Sequence, residues 1–341
     1  MNVKSRQFAY RGLGNGAKNL NALFLSGIVF FCYFSVAKAD VNKVFDEKVS
    51  YTAFKTLAND NRKISLKKEV VTSTFDSKHQ ENLLTYSSDD LTLFAMQLTP
   101  LLNKPKSGWP LVIFLHGYHP EPKRYGQMKD GSTKRPGTYY KDFPLSYANN
   151  GYMVITPDYR GHNDSQGEAF TKQPFASLWY VRDVLNLFKA IDNIEEIDST
   201  KIYVVGHSMG SGIGLIVSTL LSEKITAMSL WSTGKPVSYV KLYQSYRNNQ
   251  DKRMNDLAWL HYPEAIIKRA EFTTPIMLQH GLKDKTTTFG NSAEIALRLS
   301  QYKKLHKLIP YNVKEHLFTG DDFNKAIKAD LAWFTQHASK P

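Results

Sequence analysis

From residue 111 onward the chain alternates short runs of consecutive apolar residues with longer stretches whose apolar positions recur every three or four residues. The short runs are Leu111 to Leu115, Tyr152 to Thr156, Ile202 to Val205, Ala227 to Trp231, Ile276 to Gln279 and Lys307 to Pro310. They lack a polar face and predict strands buried on both sides. The stretches Tyr139 to Asn149, Pro174 to Ile191, Ser208 to Leu221, Asn291 to Ser300 and Phe323 to His337 predict helices. Regular alternation of the two implies an α/β fold, a mostly parallel central sheet with helices on both faces. Residues 50–99 differ, with polar and apolar positions alternating as at Leu91, Leu93 and Ala95, and predict antiparallel edge strands.

Two segments interrupt this rhythm. Tyr118 to Thr138 is a long loop punctuated by glycine and proline after the first parallel strand, and loops of that length usually serve function. Ser232 to Thr274 predicts a helical insertion over the carboxyl ends of the strands, where parallel sheets bind ligands. Its Tyr239, Tyr243 and Tyr246 share one helix face and either fasten the insertion to the core or form a lid.

The amino-terminal end changes the picture of where the protein works. Lys4, Arg6, Arg11 and Lys18 precede an apolar run from Ala22 to Val36 and the small-x-small sequence Ala37, Lys38, Ala39. This predicts a signal peptide over residues 1–39 and an exported, periplasmic or extracellular protein, with an uncleaved membrane anchor as the alternative. Cleavage leaves residues 40–341 as a single domain, lowers the formal net charge from +13 by five to +8, and removes Cys32, the one cysteine. The remaining chain has no disulfide available and depends on its core. A positive surface suits association with anionic envelope surfaces, although the basic residues are scattered among acids. No nucleic-acid module, metal-ligand cluster, cofactor motif or internal repeat is present in the sequence.

Candidate chemistry centres on Gly206, His207, Ser208, Met209 and Gly210, which follow one strand and open a helix. A serine between glycines at such a junction is the pattern of a nucleophile elbow, because the tight turn leaves no room for side chains two residues away. Ser208 is the candidate nucleophile. It needs a base on the same sheet edge, and His316, six residues past Pro310 in the loop before the last helix, meets that condition better than His306 or His337. The acid belongs to a loop after an intermediate strand: Asp284 fits, with Asp251 and Asp256 as alternatives in the insertion. For the oxyanion, the Met209 amide follows the nucleophile, and the Tyr118 amide lies after the first parallel strand, with Gly117 permitting close approach. The His116 side chain is expected to be structural.

Five blocks carry a resemblance: LHGY at 115–118, TPDYRG at 156–161, GHSMG at 206–210, QHGLKD at 279–284 and EHLF at 315–318. In this order, residues 108–338 resemble the catalytic domain of the prolyl oligopeptidase family within the α/β-hydrolase superfamily. The resemblance implies triad roles for Ser208, Asp284 and His316, and a structural turn containing Asp158 and Arg160. It implies a serine hydrolase that forms an acyl-enzyme on a small-molecule ester or short peptide, and the leader adds export to that expectation. Three departures stand out. Roughly sixty residues before the hydrolase core are too few for the propeller of larger members. Ser211 stands where a second glycine often occurs, and Lys285 to Phe289 (KTTTF) replaces the usual apolar and proline residues after the acid. The alternative function is a catalytically silent hydrolase fold that binds acidic envelope polymers.

Overall fold

The computed structural model describes residues 48–71, 77–127, 135–172, 176–234, 267–269 and 271–338. The predicted leader, most of the insertion including Asp251 and Asp256, and residues 128–134 of the long loop lie outside the described residues. Lys48–Pro341 forms one unit.

The apolar runs pair into a sheet with nine strands among the described residues: β1 Leu66–Val71, β2 His79–Ser88, β3 Leu91–Pro100, β4 Trp109–Leu115, β5 Met153–Asp158, β6 Ile197–His207, β7 Ala227–Trp231, β8 Ile276–Gly281 and β9 His306–Tyr311. Their spatial order is β1-β2-β3-β5-β4-β6-β7-β8-β9. β1, β2 and β3 run antiparallel to their neighbours, with β3 joining β5, and β5, β4, β6, β7, β8 and β9 are parallel. Every residue of β5, β7 and β8 is buried, which is why those strands read as unbroken apolar runs. β6 starts five residues earlier than its apolar run because Ile197 pairs with Trp109 through a register shift.

Helices cover both faces: α1 Tyr51–Asn59, α2 Asp142–Ala148, α3 Ala176–Ile191, α4 Met209–Leu220, α5 Phe289–Gln301 and α6 Gly320–His337. Phe143 and Tyr147 of α2 and Phe323, Ile327 and Phe334 of α6 share a core with Phe114, Val205, Ala227 and Met277. Leu115, Val204 and Met228, one residue out of step with those strand positions, instead face Gly214 of α4. The period of two therefore assigns each strand residue to one layer. α1 corrects the expectation of strands throughout residues 50–99. Ser50 Oγ accepts the Ala53 amide at 3.2 Å, and Tyr51, Phe54 and Leu57 recur at helical spacing and are buried.

Two buried polar clusters tie the layers together. Asp158 and Arg160 of the conspicuous turn take different partners. Asp158 accepts from Arg135 Nε at 2.6 Å and Asn163 Nδ2 at 2.8 Å, whereas Arg160 reaches Asp183 at 2.6 Å and Asp89 at 3.0 Å. On α6, Asp330 is fully buried and accepts from Tyr147 Oη at 2.5 Å, Trp231 Nε1 at 3.0 Å and Gln279 Nε2 at 2.7 Å, stitching α6 to α2, β7 and β8.

Burial pushes the Asp330 carboxyl up to about 7, against the pull of its hydrogen-bond donors. That lies above the value of about 3.9 in an unfolded chain, so the contribution of Asp330 to stability is complete at low pH and is lost as pH rises through about 7. In Asp330→Asn, which does not titrate, this slope disappears. Wild type is expected to lose about 2–3 kcal/mol of stability relative to the variant between pH 5 and pH 7, measured by urea unfolding at each pH.

Candidate active site

β6 ends at His207 and α4 begins at Met209, which leaves Ser208 alone at the junction with φ 55° and ψ −116°. A positive φ in a residue with a side chain costs about 1–3 kcal/mol and persists only where the surroundings impose it. They do so here through contact. A methyl group on Gly206 would stand 2.7 Å from Gly210 O, and one on Gly210 would overlap the Leu115 carbonyl oxygen of β4. Ser208 N donates to Trp231 O at 2.9 Å, and Ser208 O accepts from Gly234 N at 3.2 Å. Ser211, the departure from the family pattern, is buried, and its hydroxyl lies 2.8 Å from Gly206 O and 3.0 Å from Trp231 O. Its side chain thereby clips the first turn of α4 to the ends of β6 and β7.

The loops after β8 and β9 meet beside this junction. His316 Nδ1 donates to Asp284 Oδ2 at 2.7 Å. Asp284 Oδ1 accepts the amides of Thr286 at 2.8 Å and Thr287 at 3.1 Å, and Thr287 Oγ1 lies 3.1 Å from Oδ2. Burial raises the carboxyl, but the hydrogen bonds from His316 and the two threonine amides outweigh it and hold Asp284 below the ordinary carboxylate value. The segment Lys285–Phe289 thus supplies the acid with donors, and its Thr287 hydroxyl also donates to Ser232 O at 2.9 Å, linking the loop to the end of β7. His280 of β8 packs behind, its Nε2 3.5 Å from Asp284 Oδ2 and 2.9 Å from Thr287 O, and burial lowers its basicity.

Ionised Asp284 accepts the Nδ1 proton of His316, leaving Nε2 as the free lone pair of the neutral ring. Ser208 Oγ makes no hydrogen bond to His316 among the described residues. Such contacts often run long until a substrate tightens them. The neighbourhood is shared all the same: the His207 ring lies 4.7 Å from the His316 ring, and His207 Nε2 donates to His316 O at 2.9 Å.

The loop after β4 approaches Ser208 from the other side. A methyl on Gly117 would sit 3.1 Å from Ser208 Cβ and would collide with Tyr140 Oη. Gly117 N donates to Tyr140 Oη at 2.9 Å, whereas the Tyr118 amide, one residue on, makes no hydrogen bond among the described residues, and Tyr118 is 71% exposed. The Met209 amide stands at the start of α4, where unpaired helix N–H groups favour negative charge. His116 is buried between the rings of Tyr125 and Tyr159, at 3.9 and 4.2 Å, and burial pushes its basicity far down. Among the described residues no group of three or more His, Cys, Asp or Glu could hold a metal ion, and no helix is long and apolar enough to cross a membrane.

Thr287, Tyr140 and His207 escaped the reading of the sequence. Thr287 belongs to a segment that departs from the family pattern, and Tyr140 precedes α2 with no motif around it. His207 sits inside the elbow motif at a position the pattern leaves open to any residue, so the motif carries no signal for it. The glycine contacts lead to a direct test. Gly210→Ala is expected to abolish hydrolysis and lower the unfolding temperature by several degrees, whereas Gly290→Ala, where a methyl group meets only Thr288 Oγ1 at an ordinary 3.7 Å, leaves activity within about twofold.

Comparison with known proteins places this geometry in a lineage. Residues 139–341, which include Ser208, Asp284 and His316, match the model of the prolyl oligopeptidase family. The uncharacterized peptidase YtmA of Bacillus subtilis (strain 168) is 20% identical over 219 residues, 61% of this chain and 79% of the relative. Among solved structures, the acetyl xylan esterase from Paenibacillus sp. R4 superposes with a TM-score of 0.61 at 16% identity, covering 84% of this chain and 93% of that one. The acylaminoacyl peptidase of Pyrococcus horikoshii superposes with a TM-score of 0.59 at 19% identity, over 78% of this chain and 42% of that one. The match over residues 139–341 shows that the chain belongs to the prolyl oligopeptidase family and is a serine hydrolase of the α/β-hydrolase fold.

Proposed function

We propose that Ser208, His316 and Asp284 form a catalytic triad that hydrolyses carboxylic esters through an acyl-enzyme, with short peptides as a second substrate class. One observation carries this reading: the 2.7 Å hydrogen bond that orients His316 through Asp284, beside a serine held at positive φ on the elbow. Ser208 Oγ attacks the carbonyl carbon and its proton passes to His316 Nε2. The oxyanion is held by the amides of Met209 and Tyr118, and His316 returns the proton to the departing alkoxide. Water, deprotonated by His316, then attacks the acyl carbon, and collapse of the second tetrahedral intermediate releases the acid and restores the Ser208 hydroxyl.

Esters come first because the likeness to the acetyl xylan esterase runs over 93% of that chain, whereas this chain spans 42% of the acylaminoacyl peptidase. The alcohol of an ester is also a better leaving group than an amine. Purified protein is expected to turn over p-nitrophenyl esters of short acids at least about tenfold faster than peptide anilides, and to react with a fluorophosphonate at Ser208. Ser208→Ala should abolish both turnover and labelling. Labelling that survives this change refutes the triad, and ester turnover below that of anilides reverses the order of substrates.

Export belongs to the same proposal, supported by the basic start, the apolar run Ala22 to Val36 and the Ala37-Lys38-Ala39 sequence. Expression with the full leader is expected to yield protein outside the cytoplasm beginning at Asp40, read by cell fractionation and N-terminal sequencing; a cytoplasmic product beginning at Met1 refutes it.

A further inference from the structure

A one-way chain of buried hydrogen bonds joins the loops after β4 and β9 through the last residue of β6. The His316 carbonyl oxygen can only accept, so His207 Nε2, 2.9 Å away, carries the ring's proton. Burial makes protonation of this ring difficult, lowering its pKa to about 3, so Nδ1 keeps a lone pair. Tyr140 Oη lies 2.8 Å from that nitrogen and must be the donor. Its oxygen then accepts Gly117 N–H at 2.9 Å. The order Gly117 N–H to Tyr140, Tyr140 O–H to His207, His207 N–H to His316 O follows without choice. Tyr140 is 3% and His207 0% exposed, so bulk water cannot replace either link.

The ends of this chain are the two loops whose distance from Ser208 decides attack, and His207 directly precedes Ser208. We propose that Tyr140 and His207 are positioning residues that fix the Gly117–Tyr118 peptide and the His316 backbone relative to the nucleophile. The proposal rests on the triad reading above. A group that served only the fold would alter the amount of active enzyme, whereas a positioning group alters turnover per active site with little change in ground-state binding.

The test uses the full-length chain, ester hydrolysis, and active-site titration with a fluorophosphonate, so that kcat is counted per competent site. Tyr140→Phe removes one oxygen and keeps the ring. It is expected to lower kcat per titrated site by about 10- to 100-fold with KM within about threefold, as displacements of about 1 Å do elsewhere. His207→Leu should lose a similar factor, and the double variant should lie within about threefold of the worse single variant, because either change breaks the same chain. His207→Gln, which retains an N–H for the His316 carbonyl, should recover part of the loss, and it also serves if Tyr140→Phe does not fold. A kcat per titrated site within about threefold of wild type in the single variants, or losses that multiply in the double variant, overturns the proposal. If Ser208→Ala retains turnover, the triad reading fails and this proposal with it; Ser208-dependent turnover unaffected by Tyr140→Phe overturns this proposal alone.

Discussion

Gly210 lies against the Leu115 carbonyl oxygen at a separation that excludes any side chain. That contact brings the first turn of α4 onto the end of β4, and the rest of the site follows from it. With α4 held there, Ser208 is forced to positive φ between β6 and the helix, projecting at the carboxyl edge of the sheet. The same approach sets Ser208 beside the loop that carries Gly117 and Tyr118, where a methyl on Gly117 would stand 3.1 Å from Ser208 Cβ. Ser211 adds a hydroxyl that reaches the ends of β6 and β7, so a residue that departs from the family pattern reinforces the turn.

Around this rigid point the remaining groups are held by polar contacts made in a low-dielectric interior, where each hydrogen bond fixes direction strongly and an unpaired group is costly. Asp284 remains a carboxylate because three donors converge on it, His316 Nδ1 and the amides of Thr286 and Thr287. His207 and His116 remain neutral because burial disfavours their charged forms. Tautomers, normally free to exchange, are thereby assigned by their partners: Nδ1–H for His316 and Nε2–H for His207.

Much of the sheet was legible because strands buried on both faces leave a signal that needs no partner to recognise, as Ala227 to Trp231 illustrates by matching β7 at both ends. The early part of β6 was hidden because Ile197 joins the sheet across a register shift, and its flanking residues are polar. α1 carries a weak signal for a different reason: its three large apolar residues, Tyr51, Phe54 and Leu57, fit a helix only once Ser50 caps it and they find a surface to cover. The periodicity predicts a helix from Tyr139, but α2 begins at Asp142, and Tyr140 turns its hydroxyl to the backbone of Gly117.

Local sequence determined the alternation of strand and helix and the glycine-flanked pattern around Ser208, because each depends on periodicity or on backbone sterics within a few residues, and it carries the chain order of serine, aspartate and histidine directly. Only the tertiary structure decided which groups meet. The 2.7 Å approach of His316 to Asp284, the pairing of Arg160 with Asp183 rather than with its neighbour Asp158, and the link from Gly117 through Tyr140 and His207 to His316 join residues from 23 to 109 positions apart. Hydrogen bonds act over about 3 Å, and a linear sequence carries no record of which distant loops the packing of α4 on β4 will bring within that range.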